Sequence, residues 1–211
     1  MRIVAFVTFV FAAAAVLMMQ AGGSTPLLPY YDDSALTPRW HAVDHRIADF
    51  SLVMQTGEPL RRQDLIGKVH VATFIYTRCA NVCPAMVTQL SKVQKAIAGR
   101  SDAAIVAFSV TPQSDTPETL AAFGRERRID PGSWKLVTGD PDTIYELART
   151  SYFADDGRLE AGKPAVEQFL HTEKALLVDR EGKLRGVYNA TLPFEIDKLL
   201  SDLDVLLKAG H

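Results

Sequence analysis

The 211-residue sequence has very little cysteine: Cys79 and Cys83 are its only two cysteines. So few cysteines exclude a small protein that several disulfides hold together. The formal net charge is only −2, so nothing points to nucleic acid as a partner. There is also no internal repeat and no sign of a second domain. The length therefore suits one domain of about 150–190 residues behind an N-terminal segment.

The N-terminus has the pattern of a targeting segment. Met1 and Arg2 precede an uncharged, mostly apolar run over 3–19, and small residues follow at 21–24. This order is typical of a signal peptide, although the run also reaches the lower limit for a membrane span, about 17 residues. We expect residues 1–21 to be a signal peptide or a membrane anchor. The rest is then exported, in a bacterium to the periplasm, tethered to or facing the inner membrane. Without a nearby cysteine, a lipoprotein anchor is excluded.

The pattern of apolar runs predicts an α/β domain over residues 46–208. Residues 22–45 are predicted to be a linker that packs partly on this domain through Tyr30, Tyr31 and Trp40. Strands are predicted at 47–53, from 69, and at 103–110, 134–137, 174–179 and 184–188, with helices at 83–99, 116–128, 140–150 and from Pro193. This alternation, with a terminal hairpin and helix, indicates a thioredoxin-like fold: a central mixed β-sheet with helices on both faces.

The two cysteines lie in a short loop between the strand that begins at Val69 and a helix that Pro84 opens. A helix N-terminus stabilises negative charge, so we expect a lowered thiol pKa there. The spacing is CxxxC, one residue wider than the CxxC of thioredoxins. A disulfide can still close across it, and two thiolates could instead converge on Cu(I), zinc or an iron–sulfur cluster. Two thiolates alone leave a metal site incomplete, so a third ligand is expected from elsewhere.

The five histidines are the candidates for that ligand. His171 is favoured because it precedes a predicted strand, and in thioredoxin-like folds the loop entering this strand passes over the cysteine loop. His41, His45 and His70 are more simply structural, and His211 is the chain terminus. Other side chains near the cysteines have simpler explanations than metal binding. Met86 is interpreted as a core residue, and Asp115 and Glu118 as acids at the start of a helix. Arg78 is equally well explained as an exposed arginine or as a neighbour that favours the thiolate.

With these residues in view, the sequence resembles the Sco/SenC family over about residues 28–206. Three blocks carry the resemblance: Gly67–Cys79 with Cys83-Pro84-Ala85-Met86, Ser109–Pro112 with Asp115–Leu120, and His171 with Leu177–Leu184. There are two departures from the family pattern. Thr111 stands where relatives often carry an acid, and Ala80 and Asn81 are neutral where relatives often carry proline and an acidic residue.

The resemblance implies a membrane-tethered copper protein that assists assembly of the binuclear copper centre of cytochrome c oxidase. It implies copper, as Cu(I) or Cu(II), bound by Cys79, Cys83 and His171, and a redox-active disulfide between the two cysteines. The implied partners are the copper-bearing oxidase subunit or another cuproprotein, and a thiol reductant in the same compartment.

Two other thioredoxin-fold activities compete with this interpretation. A thiol–disulfide oxidoreductase could reduce the cysteines of a partner cuproprotein without carrying copper, and His171 would then be incidental. A thiol peroxidase is disfavoured, because a peroxiredoxin-type site needs threonine or serine three positions before its cysteine. Those positions hold Tyr76 and Ala80.

Overall fold

The computed structural model describes residues 27–79, 82–155 and 172–209. Its strands are β1 (Ser51–Met54), β2 (Pro59–Arg61), β3 (Val69–Ile75), β4 (Ala103–Ser109), β5 (Trp134–Thr138), β6 (Lys174–Val178) and β7 (Leu184–Asn189). Its α-helices are α1 (Val82–Ala96), α2 (Pro117–Glu126), α3 (Pro141–Glu146) and α4 (Pro193–Lys208). A 3-10 turn covers Arg62–Asp64, and α3 continues as a π-helical turn over Leu147–Ser151.

The strands form one mixed sheet in the order β2-β1-β5-β4-β3-β6-β7. Strand β3 runs parallel to β4 and antiparallel to β6, and β6 and β7 form the predicted antiparallel hairpin. Crossover helices α1 and α2 connect the parallel strands β3, β4 and β5, as parallel pairing requires. The expected thioredoxin-like architecture is thus confirmed.

The core lies on both faces of β3, whose seven residues are all buried. Since side chains alternate along a strand, Val71 and Ile75 face one side and Ala72 and Phe74 the other. The first pair packs with residues of α1, α2 and α4, and the second with residues of α3, the π-helical turn and 47–52. A strand buried on both faces explains why this stretch is a continuous apolar run.

The helix starts follow the predicted capping pattern. Thr116 caps α2 by accepting from the Thr119 N–H at 3.3 Å, and Asp140 caps α3 by accepting from the Thr143 N–H at 2.8 Å. A proline follows each cap, where its missing N–H costs nothing. The third predicted helix is regular only to Glu146.

The N-terminal edge of the sheet differs from the prediction. The first strand is Ser51–Met54 rather than 47–53, and the short strand β2 was not predicted. Ile47 is buried without belonging to a strand, so its apolar character reflects core packing alone. Strand β2 has three residues, including a proline and an arginine. Edge strands tolerate both residue types, but such a short stretch leaves no alternation to detect.

The first described residues lie against the hairpin, and Arg185 holds them there. Its guanidinium donates to the carbonyls of Leu28 (2.7 Å) and Pro29 (3.0 Å) and to Asp179 (3.0 Å). The same group stacks over the Tyr30 ring, 3.8 Å from its centroid. Trp40, in contrast, is 55% exposed.

Within the described ranges, no helix is long and apolar enough to cross a membrane. The predicted signal or anchor segment, residues 1–21, lies outside these ranges, and so does His211.

His70 is the titratable residue most deeply built into the sheet. It lies in β3 with its ring Nε2 3.2 Å from the Tyr152 hydroxyl. Its Nδ1 is buried and has no hydrogen-bond partner among the described residues. Burial lowers the pKa of His70 from 6.5 to about 3, because the imidazolium would lose its hydration. The folded protein therefore keeps this imidazole neutral.

We expect this burial to make stability pH-dependent. Between about pH 6.5 and pH 3 the unfolded chain binds a proton at His70 and the folded chain does not, so stability is full above this window and falls within it. Within this window, His70 lowers the free energy of unfolding by about 1.4 kcal/mol for each pH unit of acidification. Urea unfolding at several pH values should show a shallower acid-side loss for His70→Leu than for wild type. His41→Leu, a change at an exposed histidine, serves as the control. Parallel profiles for wild type and His70→Leu would contradict this account.

Candidate metal centre

The two cysteines lie where β3 ends and α1 begins. Cys79 is half-buried, and its N–H donates to the Tyr76 carbonyl at 3.1 Å, which closes a turn after the strand. Cys83 is 7% exposed and lies in the first turn of α1. Its N–H points to the Cys79 sulfur at 3.4 Å. No disulfide joins the two residues, so both are thiols.

The expected lowering of the thiol pKa is wrong for Cys83. Burial is the main reason that the pKa of this thiol rises to about 12, and negative charge on the neighbouring Cys79 and Asp115 acts in the same direction. A hydrogen bond with the backbone of Tyr76 opposes the rise without cancelling it. A helix N-terminus favours a thiolate only modestly, whereas removing the sulfur from water disfavours it strongly. Without a cation beside it, Cys83 therefore keeps its proton.

A cavity of about 280 Å³ opens beside the cysteines. Both cysteines line it, together with Tyr76, Thr172 and Glu173 and with apolar side chains at the ends of β3 and β4 and the start of α1. The cavity combines two sulfurs with a mostly apolar wall. Such a site can hold a soft metal ion away from bulk water.

The antiparallel pairing of β6 with β3 brings the start of β6 to the cysteine end of the sheet. The Thr73 hydroxyl donates to the Lys174 carbonyl at 3.1 Å, just before the end of β3. Thr172 consequently lines the same cavity as Cys79 and Cys83. His171, the residue before Thr172, lies outside the described residues.

Glu173 was not predicted as a site residue, yet it lines this cavity. Its carboxylate accepts from the Asn189 amide at 2.7 Å, and its carbonyl accepts from the Ala190 N–H at 2.6 Å. These bonds fix the position of Glu173 at the end of β7. No local pattern predicts this placement, because the contacts join the start of β6 to the end of β7.

Asp115 was also assigned too simple a role. It precedes the cap residue Thr116 and does not cap α2 itself. Its side chain is fully buried, and its carboxylate accepts from the hydroxyls of Ser109 (2.6 Å), Thr111 (3.1 Å) and Thr77 (2.5 Å). The threonines and serine around it in the second family block were a possible signal, since a buried carboxylate needs such donors.

In the parts of the chain that the structure covers, no three His, Cys, Asp or Glu side chains come together as a metal site. His70 is inside the sheet, and His45 bonds to the Ser151 carbonyl at 2.9 Å. Met86 is a fully buried core residue, as expected, and Arg78 is exposed. The cysteine pair thus lacks a third ligand from these residues.

Comparisons with known proteins all point to one family. The SCO1/SenC family model matches residues 41–208, which is most of the chain. A putative copper-binding protein of Stutzerimonas stutzeri is 26% identical over 175 residues, covering 82% of this chain and 80% of the relative.

Two solved structures are similar over nearly their full length. A SCO1/SenC family lipoprotein from Bacillus anthracis aligns with a TM-score of 0.68 and 30% identity, covering 78% of this chain and 96% of the other. BsSco, a member of the Sco family of cytochrome c oxidase assembly proteins in which a disulfide switch was identified, aligns with a TM-score of 0.66 and 28% identity, covering 79% and 95%.

The different burial of the two thiols predicts different reactivity. In the Cys79→Ser variant, the remaining Cys83 should react with iodoacetamide at least about tenfold more slowly at pH 8 than Cys79 does in Cys83→Ser, because the thiolate is the nucleophile. Mass spectrometry of alkylated protein over time measures both rates. In urea the two variants should react alike. Equal rates in the folded proteins would show that burial does not control Cys83.

Proposed function

The chain belongs to the SCO1/SenC family, and from this premise we propose that it is an extracytoplasmic copper chaperone. In this proposal it binds copper through two thiolates and one imidazole. It assists assembly of the binuclear copper centre of cytochrome c oxidase, and copper is its cargo. The observation that carries the proposal is the cavity that Cys79, Cys83 and Thr172 share, one residue from His171.

The proposed ligands are Cys79, Cys83 and His171. The donor set suits copper, since thiolates favour Cu(I) and imidazole also accommodates Cu(II). Thr172 lines the cavity together with both cysteines, and His171 directly precedes it in the chain, which supports His171 as the third donor. Three ligands leave the coordination sphere open for an incoming ligand of the recipient, so copper could be exchanged stepwise.

The electrostatics of the site support a cationic cargo. Cys83 holds its proton because its sulfur is buried beside other groups that carry negative charge when ionised. A metal ion bound to a thiol displaces that proton, because the cation supplies the missing charge compensation. Copper loading would then release a proton from Cys83. It would also require both cysteines in the reduced state, because a disulfide offers no thiolate.

The cellular setting is part of the proposal. The apolar segment at 3–19 supports export, with the chain retained at the membrane if this segment stays uncleaved. An exported thiol pair meets an oxidising compartment, so a reductant there would keep it able to bind metal. The recipient would be the copper-bearing subunit of the oxidase or another cuproprotein, in line with BsSco as an oxidase assembly protein.

A second function, thiol–disulfide oxidoreductase, is supported by the closeness of the two cysteines. The Cys83 N–H lies 3.4 Å from the Cys79 sulfur, and the related BsSco has a disulfide switch. In this role the two thiols would form a disulfide while reducing a disulfide of the partner to two thiols. No copper is needed for that exchange.

Copper titration of the reduced full-length protein in mild detergent separates the two functions. We expect one copper per chain, with a thiolate-to-Cu(II) absorption band that is lost in Cys79→Ser and Cys83→Ser. In His171→Ala the affinity should fall at least about tenfold, within the usual range for loss of a group that supports a metal site. His41→Ala, at an exposed histidine, is the matched control and should behave as wild type.

Tight copper binding that survives His171→Ala would remove the imidazole from the ligand set. If wild type does not bind copper tightly while its thiols still reduce partner disulfides, the chaperone proposal fails. The oxidoreductase function would replace it.

A further inference from the structure

The buried carboxylate of Asp115 joins three segments at the cysteine end of the sheet. Its hydroxyl donors are Thr77 from the turn after β3, Ser109 from the last position of β4, and Thr111 from the loop after β4. The Thr77 N–H also points to it at 3.4 Å. The Asp115 N–H itself donates to the Thr111 carbonyl at 3.0 Å, which fixes the carboxylate to its own loop.

The surroundings of Asp115 are unusual for a residue whose task is only to start a helix. It is 0% exposed, and among the described residues no ion pair includes it. Burying a carboxylate away from any cation is costly unless several donors satisfy it. Thr116, one residue later, already caps α2. The carboxylate must therefore be explained by what its donors hold in place.

One of those donors, Thr77, lies next to the cysteines in the chain. Thr77 is two residues before Cys79, and the turn between them is closed by the bond from the Cys79 N–H to the Tyr76 carbonyl. On the other side of Thr77, the Ile75 carbonyl accepts from the Val110 N–H at 2.9 Å. The bond from Thr77 to Asp115 attaches this turn to the loop that follows β4, two positions before Cys79.

We propose that Asp115 is a positioning residue for the cysteine pair, which acts through Thr77 to hold Cys79 in place relative to Cys83. The inference rests on the proposed function only in assuming that Cys79 and Cys83 act together, as metal ligands or as a redox pair. Hydrogen bonds to an ionised acceptor are stronger than neutral ones, so a carboxylate holds Thr77 more firmly than an amide would. Holding the two sulfurs near each other lowers the entropy cost of joining them, either in a disulfide or around one copper ion.

The equilibrium of the cysteine pair with glutathione measures this positioning without copper. Each disulfide that forms oxidises the two thiols of the chain and reduces one glutathione disulfide to two glutathione thiols. The equilibrium constant is therefore the effective concentration of one thiol near the other. Looser positioning of Cys79 lowers it, whereas a general loss of stability in the folded domain does not.

Four single variants of the full-length protein test the proposal. Thr77→Val is nearly isosteric and removes the hydroxyl donor, and Thr77→Ser keeps the hydroxyl. Asp115→Asn keeps the shape of the side chain and removes its charge. Asp179→Asn is the matched control, because Asp179 is also a largely buried carboxylate that accepts several bonds, but it lies in the hairpin at the opposite end of β6.

We expect Thr77→Val to lower the equilibrium constant about tenfold, equivalent to about 30 mV for a two-electron couple. Asp115→Asn should lower it at least about threefold, and Thr77→Ser should stay within about twofold of wild type. Asp179→Asn should lower the melting temperature and leave the equilibrium unchanged. If Thr77→Val and Asp115→Asn lower only the melting temperature, Asp115 is a structural residue and the proposal fails. A shift for Asp115→Asn without one for Thr77→Val would also overturn it, since the action would not pass through Thr77.

Copper titration of the same variants separates this proposal from the proposed function. If wild type binds no copper and the glutathione equilibrium shifts as expected, the chaperone function fails and the positioning role stands. If wild type binds one copper and no variant shifts the glutathione equilibrium, the chaperone function stands and the positioning role fails.

Discussion

Strand β3 pairs with β4 on one side and with β6 on the other, and this pairing brings the distant segments around the cysteines together. The parallel partner β4 ends at Ser109, and the antiparallel partner β6 begins at Lys174. The end of β4 and the start of β6 therefore lie beside the end of β3. The cysteine turn, the Asp115 loop and the chain that follows residue 171 therefore meet at one end of the central strands. These three segments are far apart in the sequence, and the strand pairing brings them together in space.

Burial decides the chemistry of this protein more than formal charge does. His70, Cys83 and Asp115 are all titratable groups removed from water, and each is accommodated differently. His70 stays neutral beside a tyrosine hydroxyl, and Cys83 keeps its proton. Asp115 is surrounded by hydroxyl donors. Of the three, Cys83 lines the cavity at the cysteine end of the sheet, where the proposed metal ion would displace its proton.

Much of the fold could be predicted from the sequence because its signals are local. The apolar run of β3, the cap of α2 at Thr116 and the hairpin each depend on a few neighbouring residues, and the structure has all of them. The site was predictable only in part. The cysteine pair stood out because no other cysteines exist, whereas the role of Asp115 depends on Thr77, 38 positions away. The pKa of Cys83 depends on burial, which spacing in a sequence does not measure.

The departure of this sequence from its family at Thr111 has a physical meaning at this junction. The Thr111 hydroxyl donates to Asp115 at 3.1 Å, so it adds a donor where relatives often carry a second acid. Two carboxylates at that distance would repel each other, and one of them would have to hold a proton. With threonine, the Asp115 carboxylate keeps three hydroxyl donors, from Thr77, Ser109 and Thr111. The charge near Cys83 then comes from Asp115 alone among the acids of this loop, and the loss of the family acid removes a charge without removing any proposed ligand.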